Sequence, residues 1–160
     1  MTRSESLSRR LEEVLLNGRW VANTNYKDQL EDLKRREAVF QINKLNTIAA
    51  LTFHINYYLA GILNVFNGGK LEIRDAYSFD MPDITSEAQW MELKEQLFVT
   101  SLSFVKAVQS MTDTQLDAVF TDEKYGSYQR NIEGVIEHCY YHLGQIVLIN
   151  ILRQAQSEQS

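Results

Sequence analysis

Near the C-terminal end of the chain, inside an otherwise apolar run, lies Glu137-His138-Cys139-Tyr140-Tyr141-His142-Leu143-Gly144-Gln145. On a helix, residues four apart stand one above the other, so His138 and His142 project from one face as a pair of imidazoles, and Gln145 joins that face a turn later. The only other histidine, His54, also sits in a strongly apolar helical stretch, Ile48 to Phe66. Three imidazoles brought together by two helices supply three neutral nitrogen ligands and leave at least one position open on a divalent metal, which suits a catalytic site more than a structural one. The alternative is a helical core in which neighbours satisfy the histidines and the domain serves as an interaction or assembly module. Burying every histidine of a chain on apolar helices without partners is costly, which favours the metal. Zinc, nickel, iron and cobalt all accept imidazole, so spacing does not choose among them.

Tyr57, Tyr58, Tyr141 and Gln145 each lie within a turn of a histidine. They are candidates for orienting the ligands or lining a substrate pocket, against the alternative of core packing with a polar tip at the cavity edge. Cys139 points about 100° around the helix from His138 and reads as a small buried apolar residue. Glu137 precedes a histidine, whereas the general base of zinc peptidases follows its first ligand histidine on the helix. No positioned carboxylate is visible for hydrolysis, which tilts the chemistry toward activation of a small thiol, because a metal without anionic ligands favours an incoming thiol as thiolate. No catalytic residue beyond the ligands is assigned.

Helical spacing and stop signals predict four long helices, near 4–17, 46–66, 86–110 and 130–153, with an extra short one between the first two. The first carries Leu7, Leu11, Val14 and Leu15 on one face and ends at Asn17-Gly18. The second is apolar almost all round, as a central helix is, with Asn46 as its expected cap and Asn67-Gly68-Gly69 as its stop. Residues 70–84 contain the sole proline, Pro82, and read as a long connection of the kind that lets successive helices run parallel. Ser86-Glu87-Ala88-Gln89 and Thr112-Asp113-Thr114-Gln115 match the capping box. The first box should turn Trp90, Leu93, Leu97, Leu102, Val105 and Val108 inward, and the second should open a short helical turn. Residues 122–129 read as the last loop, and the polar tail from Gln154 to Ser160 as frayed.

The 160 residues fit one domain, 1–160, large enough to bury a core without staples, and no repeat or second domain is visible. A formal charge of -5 argues against a nucleic-acid surface. The lone cysteine allows no internal disulfide, and neither the charged N-terminus nor the short aliphatic run at 146–152 suits a signal or a membrane span. A soluble cytoplasmic protein is expected, acting on a small molecule and without nucleic-acid or membrane partners.

Two stretches together, Leu51-Thr52-Phe53-His54-Ile55-Asn56-Tyr57-Tyr58 and His138-x-x-x-His142-Leu143-Gly144-Gln145-Ile146 followed by Leu152-Arg153, resemble the DinB-like (DinB/YfiT) superfamily of metal-dependent enzymes. The resemblance covers nearly the whole chain in element order, although Asn46-Thr47-Ile48 stands where the family often has a Trp-Ser/Thr step. It implies an all-α four-helix bundle with a long crossover between helices 2 and 3, often a homodimer, with a divalent metal on His54, His138 and His142. Relatives include S-transferases that use bacillithiol or mycothiol and a thiol-dependent maleylpyruvate isomerase. The expected activity is therefore metal-dependent thiol S-transfer, with a metal-dependent hydrolase or a non-catalytic binding module as alternatives, and zinc or nickel is placed ahead of iron or cobalt.

Overall fold

The computed structural model describes residues 1–159 and is all-helical, with no strand among them and one isolated antiparallel bridge, Val119 to Ser127. The helices are α1 (Arg3–Glu12), α2 (Tyr26–Leu30), α3 (Arg35–Ala38), α4 (Ile48–Phe66), α5 (Glu87–Gln109), α6 (Asp113–Asp117) and α7 (Tyr128–Glu158). A π-helical turn, Glu13–Asn17, prolongs α1, and 3-10 turns lie at Asp75–Tyr77 and Glu123–Tyr125.

Each main helix starts where a side chain replaces the missing backbone acceptor. Thr2 caps α1, Ser86 with Gln89 caps α5, Thr112 with Gln115 caps α6, and Ser127 caps α7. The cap of α4 is Thr47, whose hydroxyl accepts from Ala50 N, in place of the expected Asn46. At the other end of α4, Gly68 adopts φ +90, a conformation that disfavours a Cβ, and its N–H bonds back to Val65 O.

α5 packs closely on α4 and on α1, and α7 packs on α4 and on α1. Phe53 of α4 shares a cavity wall with Leu93 of α5, and Phe66 meets Phe104 further along both helices, so α4 and α5 run parallel. α7 runs the opposite way to α4, since His54 lies beside His138 and His142 while Phe66 stacks on Tyr128. The connection between α4 and α5 must therefore return along α4. At Gly61 the return leg comes close enough that a Cβ there would meet Ile73.

Two buried aromatic residues tie the short helices to this frame. Tyr26 is fully buried and donates its hydroxyl to Cys139 O at 2.8 Å, and Trp90, also fully buried, donates Nε1–H to Leu33 O at 2.7 Å. Phe66, Phe104, Phe120 and Tyr128 form an aromatic cluster at the C-terminal end of α4. The histidines lie toward its other end, about 18 Å away at 1.5 Å per residue.

Three expectations need adjustment. Leu102 is 48% exposed, and the buried stripe of α5 passes through Ser101 and Phe104, the positions three and four residues apart that continue Leu97. Ser101 is tolerated there because its hydroxyl donates to Leu97 O at 2.7 Å. α7 begins at Tyr128, inside the expected last loop, and continues to Glu158, where a frayed tail was expected; Ser160 lies outside the described residues. Among the described helices α4 is long and apolar enough to cross a membrane by length and composition, but half of that window (50%) is buried within the structure.

Candidate metal centre

Two helix surfaces and one connection build the site. His54 projects from α4 toward α7, where His138 and His142 stand one turn apart. One ring nitrogen of each lies within 4.8 Å of the other two. His138 Nε2 is 3.1 Å from His54 Nε2 and 2.9 Å from His142 Nε2, and the rings meet edge to face with centroids 4.5 to 5.0 Å apart.

The far nitrogens decide what the near ones can be. His54 Nδ1 faces the Ser78 carbonyl at 3.2 Å, and His142 Nδ1 faces Gln145 Oε1 at 2.6 Å. Both partners only accept, so both Nδ1 atoms carry the proton and both Nε2 atoms present lone pairs. His138 Nε2 sits between them and can give at most one proton to one of them. Three nitrogen acceptors therefore converge with too few donors to satisfy them, inside a site where His54 and His142 are only 6% and 7% exposed. A cation resolves this. At the usual ~2.0–2.1 Å from imidazole nitrogen, tetrahedral ligands stand about 3.3 Å apart, so the two contacts of His138 Nε2, 3.1 and 2.9 Å, need to open by only a few tenths of an ångström.

The electrostatics agree with neutral ligands. Burial lowers the pKa of all three histidines. For His138, burial followed by the neighbouring His142 and His54 imidazoles brings the value down to about 4. At neutral pH the three are unprotonated at Nε2 or share a single proton, so an ion need not displace charge to bind.

The walls come from aromatic rings. Phe79 stacks on His54 with centroids 4.0 Å apart, and Tyr58 packs edge-on against both His54 and His138 at 5.1 and 5.2 Å. Tyr141, 66% exposed, touches His142 edge-on at 4.9 Å and stands at the rim. Tyr57 turns to the returning connection, donating to Arg74 O at 3.1 Å and accepting from Arg74 N at 2.8 Å. Gln145 is the one of these four that bonds a candidate ligand directly. Glu137 points outward to Arg130 at 3.3 Å, and Cys139 is buried on another face of α7, where burial pushes its thiol up to about 12.

Three residues of the site escaped sequence reasoning: Asp75, Ser78 and Phe79, all from the segment read as a plain connection. Tyr58 Oη donates to Asp75 Oδ1 at 2.6 Å, and the Asp75 charge is felt at both His54 and His138. A carboxylate therefore does stand near the histidines, contrary to the sequence reading. No spacing rule links Asp75 to Tyr58, since the contact spans a change of chain direction. Comparisons with protein-family models, with curated proteins and with solved structures each return no match to this chain.

Proposed function

We propose that the protein is a divalent-metal-dependent enzyme whose three-histidine centre activates a small protic nucleophile, a low-molecular-weight thiol for S-transfer in the first instance. The observation that carries the reading is the convergence of three Nε2 atoms while two Nδ1 atoms are committed to acceptors. The likeness of its motifs to the DinB-like superfamily supports the thiol, a four-helix bundle with one long crossover as the architecture, and zinc or nickel as the ion. A metal held by neutral imidazoles supplies a Lewis acid that favours the deprotonated form of a thiol or water in its open position.

The chain's own residues do the rest. Ser78 O and Gln145 Oε1 hold His54 and His142 in the tautomer that aims Nε2 inward. Phe79 and Tyr58 wall off the histidines and exclude water from that side. Tyr141, exposed at the rim, is placed to meet a substrate as it enters. Hydrolysis is the second reading, and the observation favouring it is Asp75, the carboxylate that the motifs alone did not reveal. We further propose a cytoplasmic homodimer. Leu148 and Leu152 of α7 and Leu45 before α4 are exposed apolar residues that suit an interface.

Elemental analysis of untagged protein tests the centre. About one equivalent of metal per chain is expected, absent in His142→Ala and strongly reduced in His54→Ala and His138→Ala. Full occupancy in all three variants would place the ligands elsewhere, and a metal-free wild type that takes up none on reconstitution would leave an inert helical module.

A further inference from the structure

The segment Arg74 to Ser78 is fastened to α4 at three successive places. Tyr57 brackets Arg74 by accepting from its N–H and donating to its carbonyl, Tyr58 donates to Asp75 Oδ1, and His54 donates from Nδ1 to Ser78 O. The turn also closes on itself, with Ser78 Oγ donating to Asp75 O at 2.8 Å and Ser78 N–H to the same oxygen at 3.1 Å. Such fastening fixes the course of an exposed turn. Its effect is to hold one side chain: Asp75 is exposed, makes no ion pair among the described residues, and has Oδ1 committed to Tyr58 while Oδ2 has no hydrogen-bond partner there.

Asp75 does not belong to the set of ligand atoms lying within 4.8 Å of one another, so as placed it does not complete the histidine triad. Its charge nonetheless reaches both His54 and His138, and Tyr58, which holds it, packs on both rings. A carboxylate so held, one layer outside a three-nitrogen centre and with a free oxygen, has the chemistry to receive a hydrogen bond from whatever protic molecule occupies the centre. Resting on the metal-centre reading above, we infer that Asp75 is the proton acceptor of the site. The O–H or S–H bond of the nucleophile breaks heterolytically, the proton passes to Asp75 Oδ2, and the electron pair stays on the nucleophile's oxygen or sulfur. No oxidant or further reactant is required. Tyr58 is the positioning residue that holds the carboxylate in place beside the His54 and His138 rings.

Two small probes with opposite hydrogen-bonding character test this on protein loaded with cobalt(II), whose visible absorption reports ligands entering the open position. Acetohydroxamic acid has a proton to give to a nearby carboxylate, whereas azide only accepts. Asp75→Asn should weaken acetohydroxamic acid binding about tenfold or more, the scale of a charge-assisted hydrogen bond. It should leave cobalt affinity unchanged and azide binding unchanged or tighter. Tyr58→Phe, which keeps the carboxylate but frees it to move, should give a smaller loss of about threefold in the same direction. Equal acetohydroxamic acid affinity in wild type and Asp75→Asn overturns the inference while leaving the metal centre standing, as does loss of cobalt in Asp75→Asn, which would make Asp75 a ligand. A wild type that binds no cobalt overturns both.

Discussion

Replacing Gln145 by Leu should weaken metal binding without unfolding the protein, and the structure sets the size of the effect. The amide oxygen lies 2.6 Å from His142 Nδ1 and fixes the proton there, which leaves Nε2 bare toward the centre. Once that acceptor is gone, the His142 proton can move to Nε2 and donate to His138 Nε2, 2.9 Å away. The metal-free protein loses little by this exchange, one hydrogen bond replacing another. A metal, however, must then drive the proton back to an Nδ1 with no acceptor. Losses of orienting partners of this kind run at about 10–100-fold in metal affinity, or ~1.4–2.7 kcal/mol. At saturating metal the same energy disappears from ligand-induced stabilisation, which for a chain of this size lowers the metal-induced rise in Tm by roughly 3–10 °C. Gln145→Glu, which keeps an acceptor and adds charge, should bind at least as tightly as wild type. Competition against a chromophoric chelator at neutral pH gives the affinities, and thermal melts with and without metal give the second reading. Wild-type affinity in Gln145→Leu, or an equal loss in Gln145→Glu, would refute the idea that this amide sets the tautomer.

The metal-free protein should lose stability as pH falls from about 6.5 toward about 4, because folded His138 stays neutral to about 4 while the unfolded chain takes up the proton near 6.5. The depressed values of His54 and His142 act with the same sign; urea midpoints that stay flat across this window would contradict it. Cys139 should resist a disulfide reagent at pH 8 in the native state and react on denaturation, since raising a thiol to about 12 cuts its thiolate fraction by about three orders of magnitude. Comparable native and denatured rates would mean that α7 opens readily. Tyr26→Phe removes the hydroxyl that donates to Cys139 O and should cost about 0.5–1.5 kcal/mol in chemical denaturation, with metal affinity unaffected.

What could be foreseen follows from the range of the interactions. The i, i+4 pair His138 and His142 is local and legible from spacing, and the caps at Ser86 and Thr112 lie within three residues of the N–H groups they satisfy. His54 could be assigned to the same centre because it was the remaining histidine on an apolar helix. Leu102 departs from expectation because register outweighs hydrophobicity: a hydroxyl bonded back to its own helix at Ser101 is as well buried as a leucine. The tail was misread because its polar composition hides a helix that Arg153 anchors, its side chain only 11% exposed and paired with Glu37 of α3 at 3.0 Å. Asp75 was beyond reach for a different reason. Its partner Tyr58 is 17 residues away across a reversal of the chain, and nothing in the intervening sequence encodes which residue arrives opposite which.

The parallel course of α4 and α5 has a consequence for how such a protein can change. A hairpin-length loop would force the two helices antiparallel, so a chain that keeps them parallel must carry a return leg, which here passes over His54. Connectivity and chemistry are thereby coupled: the ring that covers His54 is carried on the path the backbone has to take. Deletions between Gly69 and Arg74 would pull first on the Arg74 bonds to Tyr57 and then, through the later fastenings, on Phe79 over His54. Lengthening there would leave the three fastenings in place and bulge outward between Ile73 and the end of α4. Loop length at this one connection is therefore a dial on access to the histidines, one that could be varied without touching a single residue that lines them.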